Sequence, residues 1–332
     1  MSAASRERVV RLTTRGVAFG VFLLLVAGAL VTSTGSGLAV PDWPLSYGRL
    51  MPPMVGGILY EHGHRLIAAA VSMLVGVEMA VLFWGERRKA VRWLGLAAFG
   101  AILLQALLGG LTVLLLLPPI VSSAHAGLAQ IVFALAVSAA WMTWPGWTSA
   151  GWFARVRPEN ERALARAYRA ALAAAVAIYV QILLGAVMRH TGAGLAIPDF
   201  PTAFGGWLPR GGEWTPQVAI HLAHRIGAVA AALLVLVTLA RLDRAADVCP
   251  VLGRLGAGWG ILVFLQVGLG AFSIWTRKAV FVTVAHLAVG ALCLAGAVLL
   301  ALTLGKAERT AAGLAGASLD ATAPTAPLRR TG

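Results

Sequence analysis

Charged residues and cysteines are both scarce in this chain of 332 residues. Asp, Glu, Lys and Arg make up 12% of it, whereas 59% of its residues are hydrophobic. Soluble domains carry about 25% charged and about 45–50% apolar residues, so the composition excludes a soluble globular enzyme, a coiled coil and a disordered chain. The two cysteines, Cys249 and Cys293, are too few for a disulfide scaffold, and we expect them unpaired at different membrane depths. A helical protein that crosses the membrane several times remains.

Acidic residues are scarcer than basic ones, with 13 Asp and Glu against 27 Lys and Arg and a formal net charge of +14. A strongly basic chain can bind nucleic acid, but this sequence contains no nucleic-acid-binding motif. In a membrane protein, basic loops face the anionic cytoplasmic leaflet. We therefore expect membrane lipid, and no nucleic acid, beside these residues.

Eight apolar runs are long enough to cross a membrane, which takes about 20 residues as a helix. The first run follows a basic N-terminus and lacks a small-residue cleavage site, which predicts a retained span rather than a removed signal peptide. The predicted spans are 13–33, 62–84, 92–116, 122–144, 165–188, 218–240, 251–275 and 280–304.

The basic residues orient these spans. With the N-terminus inside, 20 of the 27 Lys and Arg residues fall in cytoplasmic segments, which predicts an inner-membrane protein with both termini in the cytoplasm. The other seven are Arg49, Arg65, Arg189, Arg210, Arg225, Arg277 and Lys278. The segment 306–332 is rich in Ala, Thr, Gly and Pro, so we predict a disordered cytoplasmic tail.

The chain contains a tandem repeat. Residues 28–48 (GALVTSTGSGLAVPDWPLSYG) match residues 185–205 (GAVMRHTGAGLAIPDFPTAFG) without a gap, EHGHR at 61–65 matches HLAHR at 221–225, and 103–114 matches 264–275. Each half begins and ends inside, so the repeats are parallel rather than inverted. We predict an all-α polytopic membrane protein with eight transmembrane helices, arranged as two tandem four-helix bundles, 1–150 and 151–305, related by pseudo-twofold symmetry.

The repeat pairs four of the seven histidines, His64 with His224 and His125 with His286. Each half thus brings two histidines, from two helices that run in the same direction, to the outer end of the membrane. Two facing imidazoles in a helical bundle can bind a haem iron axially. Zinc fits less well because a zinc site takes three or four protein ligands. Hydrogen bonding at a helix end would explain one such histidine, but four at repeated positions favour two haem sites.

Two further histidines have no place in this scheme. His62 is two residues from His64, and positions two apart on a helix point to nearly opposite sides. We therefore expect His62 at the membrane interface. His190 lies in an outer loop without a repeat partner, and we assign it no function.

The halves differ at position 61, which is Glu where the repeat has His221. Glu61 shares a helix face with His64, so it is either a general base or charge stabiliser or an ion-pair partner of Arg65. The first site therefore resembles a catalytic site, and the second resembles an electron-transfer site. Arg65 and Arg225 follow the paired histidines and either bind haem propionates or extend to the interface.

The two outer loops, 34–44 and 191–201, are rich in Gly and Pro. They form either lids that pack Trp43 and Phe200 on a porphyrin edge, or ordinary turns with interfacial aromatic residues. Gln105 and Gln266 lie within spans, in small-residue surroundings that favour interhelical hydrogen bonding.

The motif TGSGLAVPDWPLSYG, the motif EHGHR and the single histidine that opens the fourth span, each repeated in the second half, resemble haem A synthase of the bacterial and mitochondrial type. The resemblance extends to about Leu304. It implies oxidation of the C8 methyl group of haem O to a formyl group, which gives haem A for cytochrome c oxidase. It also implies successive hydroxylations with oxygen drawn from water, and delivery of haem O by haem O synthase.

The same resemblance implies roles for individual residues. His64 and His125 hold the substrate haem in the first half, and His224 and His286 ligate a haem b cofactor in the second. Glu61 matches the functionally important acidic residue of the family. Many family members carry two cysteines in the first outer loop, where this sequence has Val40 and Ser46, so no thiol role is assigned.

Two other functions use the same features. A di-haem b transmembrane electron carrier or quinol-linked reductase needs two equivalent sites, whereas Glu61 and His221 make the sites inequivalent. A transporter or haem-delivery protein is compatible with parallel halves, but the midplane lacks broken helices, and Glu78 is the only acid deep in a span. The sequence names no electron acceptor and leaves the oligomeric state open.

Overall fold

The computed structural model describes residues 2–322, which form helices and connecting loops and, within that range, no β-strand. The helices are α1 (Ala3–Ser33), α2 (Gly57–Gly85), α3 (Lys89–Leu114), α4 (Pro119–Met142), α5 (Pro145–Thr148), α6 (Glu161–His190), α7 (Pro216–Val248), α8 (Pro250–Trp275) and α9 (Val280–Thr322). All of these except the short α5 are long and apolar enough to cross a membrane. The predicted all-α fold with eight spans is confirmed.

Equivalent residues set the helix limits in the two halves. α1 and α6 are each followed by a threonine and then a glycine, Gly35 or Gly192, with φ of 68° and 73°. Glycine adopts this left-handed conformation without the steric penalty that other residues meet. α7 begins where the Thr215 hydroxyl accepts a hydrogen bond from the N–H of Val218.

The eight long helices pack in two sets of four. α1 and α3 each contact α2 and α4, and α6 and α8 each contact α7 and α9. The sets meet where α4 contacts α6 and α9, and where α1 contacts α9. One core of buried apolar residues lies among α6–α9, and another lies among α1–α4 and includes Ala291 and Ala295 of α9. The domain limits and the pseudo-twofold axis stay predictions.

Four of the helices begin at one end of this bundle. Consecutive helices are antiparallel, so α2, α4, α7 and α9 all begin where the loops 34–56 and 191–215 lie. The turns 115–118 and 276–279 lie at the same end. We call it the histidine end because it positions the four paired histidines.

The last helix differs from its prediction. α9 continues through residues 306–322, where the sequence predicts disorder. Ala307 and Ala311 are fully buried in the core among α6–α9, and alanine favours helix, so packing and propensity both extend α9 beyond the apolar run. The disorder prediction is therefore wrong for 306–322, and residues 323–332 lie outside the described residues.

Two further expectations concern buried residues. Cys249 and Cys293 are both free and buried, which confirms that they are unpaired. Glu78 is fully buried, and neither oxygen of its carboxyl group has a hydrogen-bond partner within the described residues. The acid deep in the second span thus has no local counter-ion.

Candidate functional site

The structure brings the paired histidines together at the histidine end. His64 lies two turns into α2, His125 in the second turn of α4, His224 two turns into α7 and His286 in the second turn of α9. His64 and His125 are close enough for their charges to interact, and so are His224 and His286. All four side chains are half-buried. Each half therefore presents two neighbouring imidazoles, as the repeat predicts.

Each of these imidazoles packs against a glycine on the neighbouring helix. A Cβ atom added to Gly28, Gly109, Gly185 or Gly270 would lie 3.2, 3.1, 3.0 or 3.3 Å from the Cε1 atom of the facing histidine. The facing histidines are His64, His125, His224 and His286, in the same order. Such distances are too short for any larger side chain unless the imidazole shifts. The glycines thus position the rings, and sequence reasoning missed them although they match in the repeat.

Two glutamines bind the helices that carry these histidines. Gln105 Nε2 donates to the carbonyl oxygen of His125 at 2.9 Å and lies 3.3 Å from His125 Nε2. Gln181 Nε2 donates to the carbonyl oxygen of His224 at 2.8 Å and lies 3.0 Å from His224 Nδ1. The predicted interhelical role of Gln105 is confirmed, whereas Gln181 was missed because its repeat partner is Leu24.

The number of histidines in each half fits a haem better than a bare metal ion. The Nδ1 atoms of His64, His125 and His286 are buried without a hydrogen-bond partner, which is unusual in a folded protein. No group of three His, Cys, Asp or Glu side chains within residues 2–322 is placed to hold a metal ion. A haem needs only two axial protein ligands because its porphyrin supplies four. Two imidazoles in each half match that requirement.

Glu61 and His221 each hold the loop above their site. Glu61 is 3% exposed, and its Oε2 accepts a hydrogen bond from the N–H of Val40 at 2.7 Å. His221 Nδ1 accepts a hydrogen bond from the N–H of Ile197 at 3.2 Å, and Ile197 is the repeat partner of Val40. The two different side chains thus serve one structural purpose. Only the first half places a carboxylate there.

The guanidinium groups of Arg65 and Arg225 bind the same loops. Arg65 donates to the carbonyl oxygens of Val40, Asp42 and Leu45 and forms a 2.7 Å ion pair with Glu61 Oε1. Arg225 donates to the three equivalent carbonyl oxygens, those of Ile197, Asp199 and Thr202. Its Nε is buried without a partner. In both halves the terminal nitrogens of the arginine are thus occupied by the loop.

An aspartate closes the turn within each loop. Asp199 accepts hydrogen bonds from the N–H groups of Phe204 and Gly205 and from the Thr202 hydroxyl. Desolvation acts to raise its pKa, but the Thr202 hydroxyl and the two N–H groups outweigh it and lower the pKa to about 2. In the first half, Asp42 accepts hydrogen bonds from the N–H groups of Gly48 and Tyr47, and these bonds lower its pKa.

Trp43 and Phe200, the aromatic residues of the two loops, lie against α3 and α8, which carry two of the glycines that pack against the histidines. Gly110 follows the glycine that packs against His125, and a Cβ added to Gly110 would lie 2.7 Å from Trp43 Cδ2. Phe200 packs edge-on against Trp275, and its carbonyl oxygen accepts a hydrogen bond from Trp275 Nε1 at 3.3 Å. Each loop is therefore attached to a neighbouring helix through its aromatic residue.

Two histidines outside the pairs differ from their predictions. His62 is 5% exposed, and its Nδ1 shares a 2.7 Å hydrogen bond with Ser46 Oγ, so the expected interfacial position is wrong. The loop 34–56 covers the far side of α2 and buries a second face of that helix. His190 is the last residue of α6 and interacts electrostatically with His125.

Comparison with known proteins identifies the family of this chain. A sequence profile of a family described as cytochrome oxidase assembly protein, COX15-CtaA, matches residues 54–298. The chain belongs to the COX15-CtaA family. The matched segment contains Glu61 and all four paired histidines but begins after Trp43.

Several relatives cover most of this COX15-CtaA chain, and each is named haem A synthase. The relative from Shouchella clausii is 33% identical over 226 residues, which are 66% of this chain and 71% of the relative. That from Symbiobacterium thermophilum is 33% identical over 260 residues, 75% and 80% of the two chains. That from Bacillus pumilus is 30% identical over 278 residues, 81% and 86% of the two chains.

Proposed function

We propose that this chain is a haem A synthase, an oxidoreductase that converts the C8 methyl group of haem O into a formyl group. The observation that carries the proposal is the pair of two-histidine sites with unequal neighbours, a carboxylate in the first half and an imidazole in the second. The names of the relatives support it. With oxygen drawn from water, a methyl group and one water give a formyl group and four protons, while an external electron acceptor takes up four electrons.

The first half is proposed to bind the substrate. His64 and His125 hold haem O, with their orientation set by Gly28 and Gly109. The loop 34–56, held by Arg65 and by the contact of Trp43 with Gly110, is proposed to limit access of bulk water to the site.

Glu61 is the acid–base candidate of the first half. A carboxylate has about four acceptor positions, so the bonds to Val40 and Arg65 leave capacity for a proton released in the reaction. Arg65 supplies the opposite charge beside this carboxylate, with its Nη2 atom 2.7 Å from Glu61 Oε1.

The second half is proposed to hold a haem b cofactor between His224 and His286. A bound haem b supplies a one-electron redox centre. Gly185 and Gly270 seat the two imidazoles, and Gln181 fixes the ring of His224.

The membrane placement follows from the charge distribution. The chain is a multi-pass membrane protein with eight candidate spans. We place both termini in the cytoplasm and the histidine end on the outer side, and we take haem O synthase as the source of haem O.

Pigment analysis tests the function. The full chain is purified from cells that make haem O, and its pigments are extracted and separated. We expect haem b together with haem O or haem A in the unmodified protein, and no haem A with Glu61→Gln, which still accepts the Val40 hydrogen bond. We expect loss of haem b with His224→Ala. Haem b alone, unchanged by Glu61→Gln, would contradict the proposal and indicate an electron carrier.

A further inference from the structure

The two halves carry different charges around the histidine end. We define the rim of the first half as Thr32, Glu61, Arg65, Leu116 and Leu117, and the rim of the second half as the repeat partners of these residues. The partners are Arg189, His221, Arg225, Arg277 and Lys278. In the first rim, the negative charge of one carboxylate cancels the positive charge of one guanidinium. The second rim has four cations and no carboxylate.

Arg225 lacks the counter-ion that Arg65 has. Glu61 pairs with Arg65 at 2.7 Å, whereas His221 occupies the equivalent place beside Arg225. The terminal nitrogens of both arginines donate to loop carbonyl oxygens. Arg225 therefore adds positive charge to the second rim but has little capacity to bind a ligand.

Arg189 has free hydrogen-bonding capacity. Its Nη2 donates to Ser33 Oγ at 2.6 Å and to the carbonyl oxygen of Ala29 at 3.2 Å, so α1 fixes the guanidinium in place. A guanidinium has five N–H donors, and Arg189 has no ion-pair partner among the described residues. Arg189 lies one helical turn after Gly185, the glycine of α6 that packs against His224. A cation with unused donors thus lies beside the second histidine pair.

Lys278 stands where the first half has an apolar residue. The turns 115–118 and 276–279 are alike, since Leu116, Leu117, Arg277 and Lys278 all have φ between 51° and 65°. Leu117 lies over Gly37, and Lys278 lies over the equivalent Gly194. Lys278 is exposed and has no ion-pair partner among the described residues.

We propose that the rim of the second half binds the carboxylate groups of a porphyrin held by His224 and His286, with Arg189 and Lys278 as the binding residues. A haem b carries two propionate groups, and a guanidinium with an ammonium group suits two carboxylates. This assigns the propionates to residues other than Arg65 and Arg225. The proposal rests on the proposed haem-binding function and deepens it.

The charge difference also has a consequence for the two sites. A porphyrin dianion gains electrostatic attraction at the second rim and none at the first.

The test compares haem with its dimethyl ester. The full chain carrying His64→Ala, which leaves only the second pair intact, is stripped of pigment in detergent and titrated with ferric protoporphyrin IX and with its dimethyl ester. We expect the dicarboxylate to bind more tightly than the ester. Arg189→Gln and Lys278→Leu should each weaken haem binding about tenfold, as expected for one charge-assisted hydrogen bond, and leave ester binding unchanged.

The variants and controls separate the outcomes. Arg49→Gln removes an exposed cation of the first loop and should change neither affinity. Lys278→Leu installs the residue of the first half at an exposed position, so it should not impair folding. Equal affinities for haem and ester, or variants that weaken both alike, would overturn the inference and leave Arg189 as a link between α6 and α1. A chain that binds neither pigment would overturn the proposed function and this inference with it.

Discussion

Glu61 and His221 accept hydrogen bonds from equivalent backbone atoms of the two loops. The carboxylate of Glu61 binds the N–H of Val40 at 2.7 Å, and the Nδ1 of His221 binds the N–H of Ile197 at 3.2 Å. Val40 and Ile197 are fully buried, so neither N–H can turn to water instead. Glu61 therefore has two separable properties, an acceptor that holds the loop and a charge that only the first half possesses.

Glu61→His separates these properties by installing the residue of the second half. We expect the loop to stay closed because the imidazole accepts the Val40 hydrogen bond, while haem A formation is lost with the carboxylate. Glu61→Ala should be less stable than Glu61→His by about 1–3 kcal/mol, the cost of a buried N–H without a partner. Thermal unfolding in detergent and pigment extraction measure the two effects. Haem A formation in Glu61→His would show that the carboxylate is dispensable.

The glycines that pack against the histidines predict that haem is lost when Gly270 is substituted but not when nearby Gly268 is substituted. A Cβ on Gly270 would lie 3.3 Å from His286 Cε1, whereas one on Gly268, two residues away on α8, would meet nothing within 4 Å. We expect Gly270→Ala to lower the haem content of the second site. Gly268→Ala should retain haem and stabilise the helix by up to about 1 kcal/mol. Absorption spectra per mole of purified protein check both. Equal haem content in the two variants would show that Gly270 does not position the ring of His286.

Much of the fold could be predicted because its signals are local. Apolar runs of sufficient length predicted all eight spans, and a gapless repeat paired His64 with His224 and His125 with His286. In a bilayer the backbone must bond within each span, so hydropathy identifies helices directly.

The parts that were missed depend on contacts between distant segments. His62 was expected at the interface because α2 was taken to have one buried face, and the loop 34–56 buries a second one through Ser46. The limits of α9 depend on Ala307 and Ala311 packing into a core, which composition does not reveal. The hydrogen bonds of Arg65 and Arg225 to loop carbonyl oxygens depend on the path of a loop, which spacing within a helix cannot give.

The loop 191–215 is expected to loosen in acid. Hydrogen bonds lower the pKa of Asp199 from 3.8 to about 2 in the folded loop, so its ionised form contributes stability above pH 3.8 that is lost as the pH falls toward 2. Hydrogen exchange at the amides of Phe204 and Gly205, corrected for intrinsic rates, should rise over that window. In the Asp199→Asn variant, these two amides should exchange faster at neutral pH, and their corrected exchange rates should not change over this pH window. Asp42→Asn, in the other loop, is the control and should leave these two amides protected.

The bond between Ser46 and His62 predicts a coupled effect on stability. Ser46 is 1% exposed and His62 5% exposed, so Ser46→Ala leaves His62 Nδ1 buried without a partner. We expect a loss of about 1–3 kcal/mol in the free energy of unfolding, and a smaller loss in the double variant Ser46→Ala/His62→Leu, which removes both polar groups. Ser138→Ala, at a buried serine that bonds only within its own helix, should cost less. Additive losses in the double variant would mean that Ser46 and His62 stabilise the protein independently, and would contradict a stabilising bond between them.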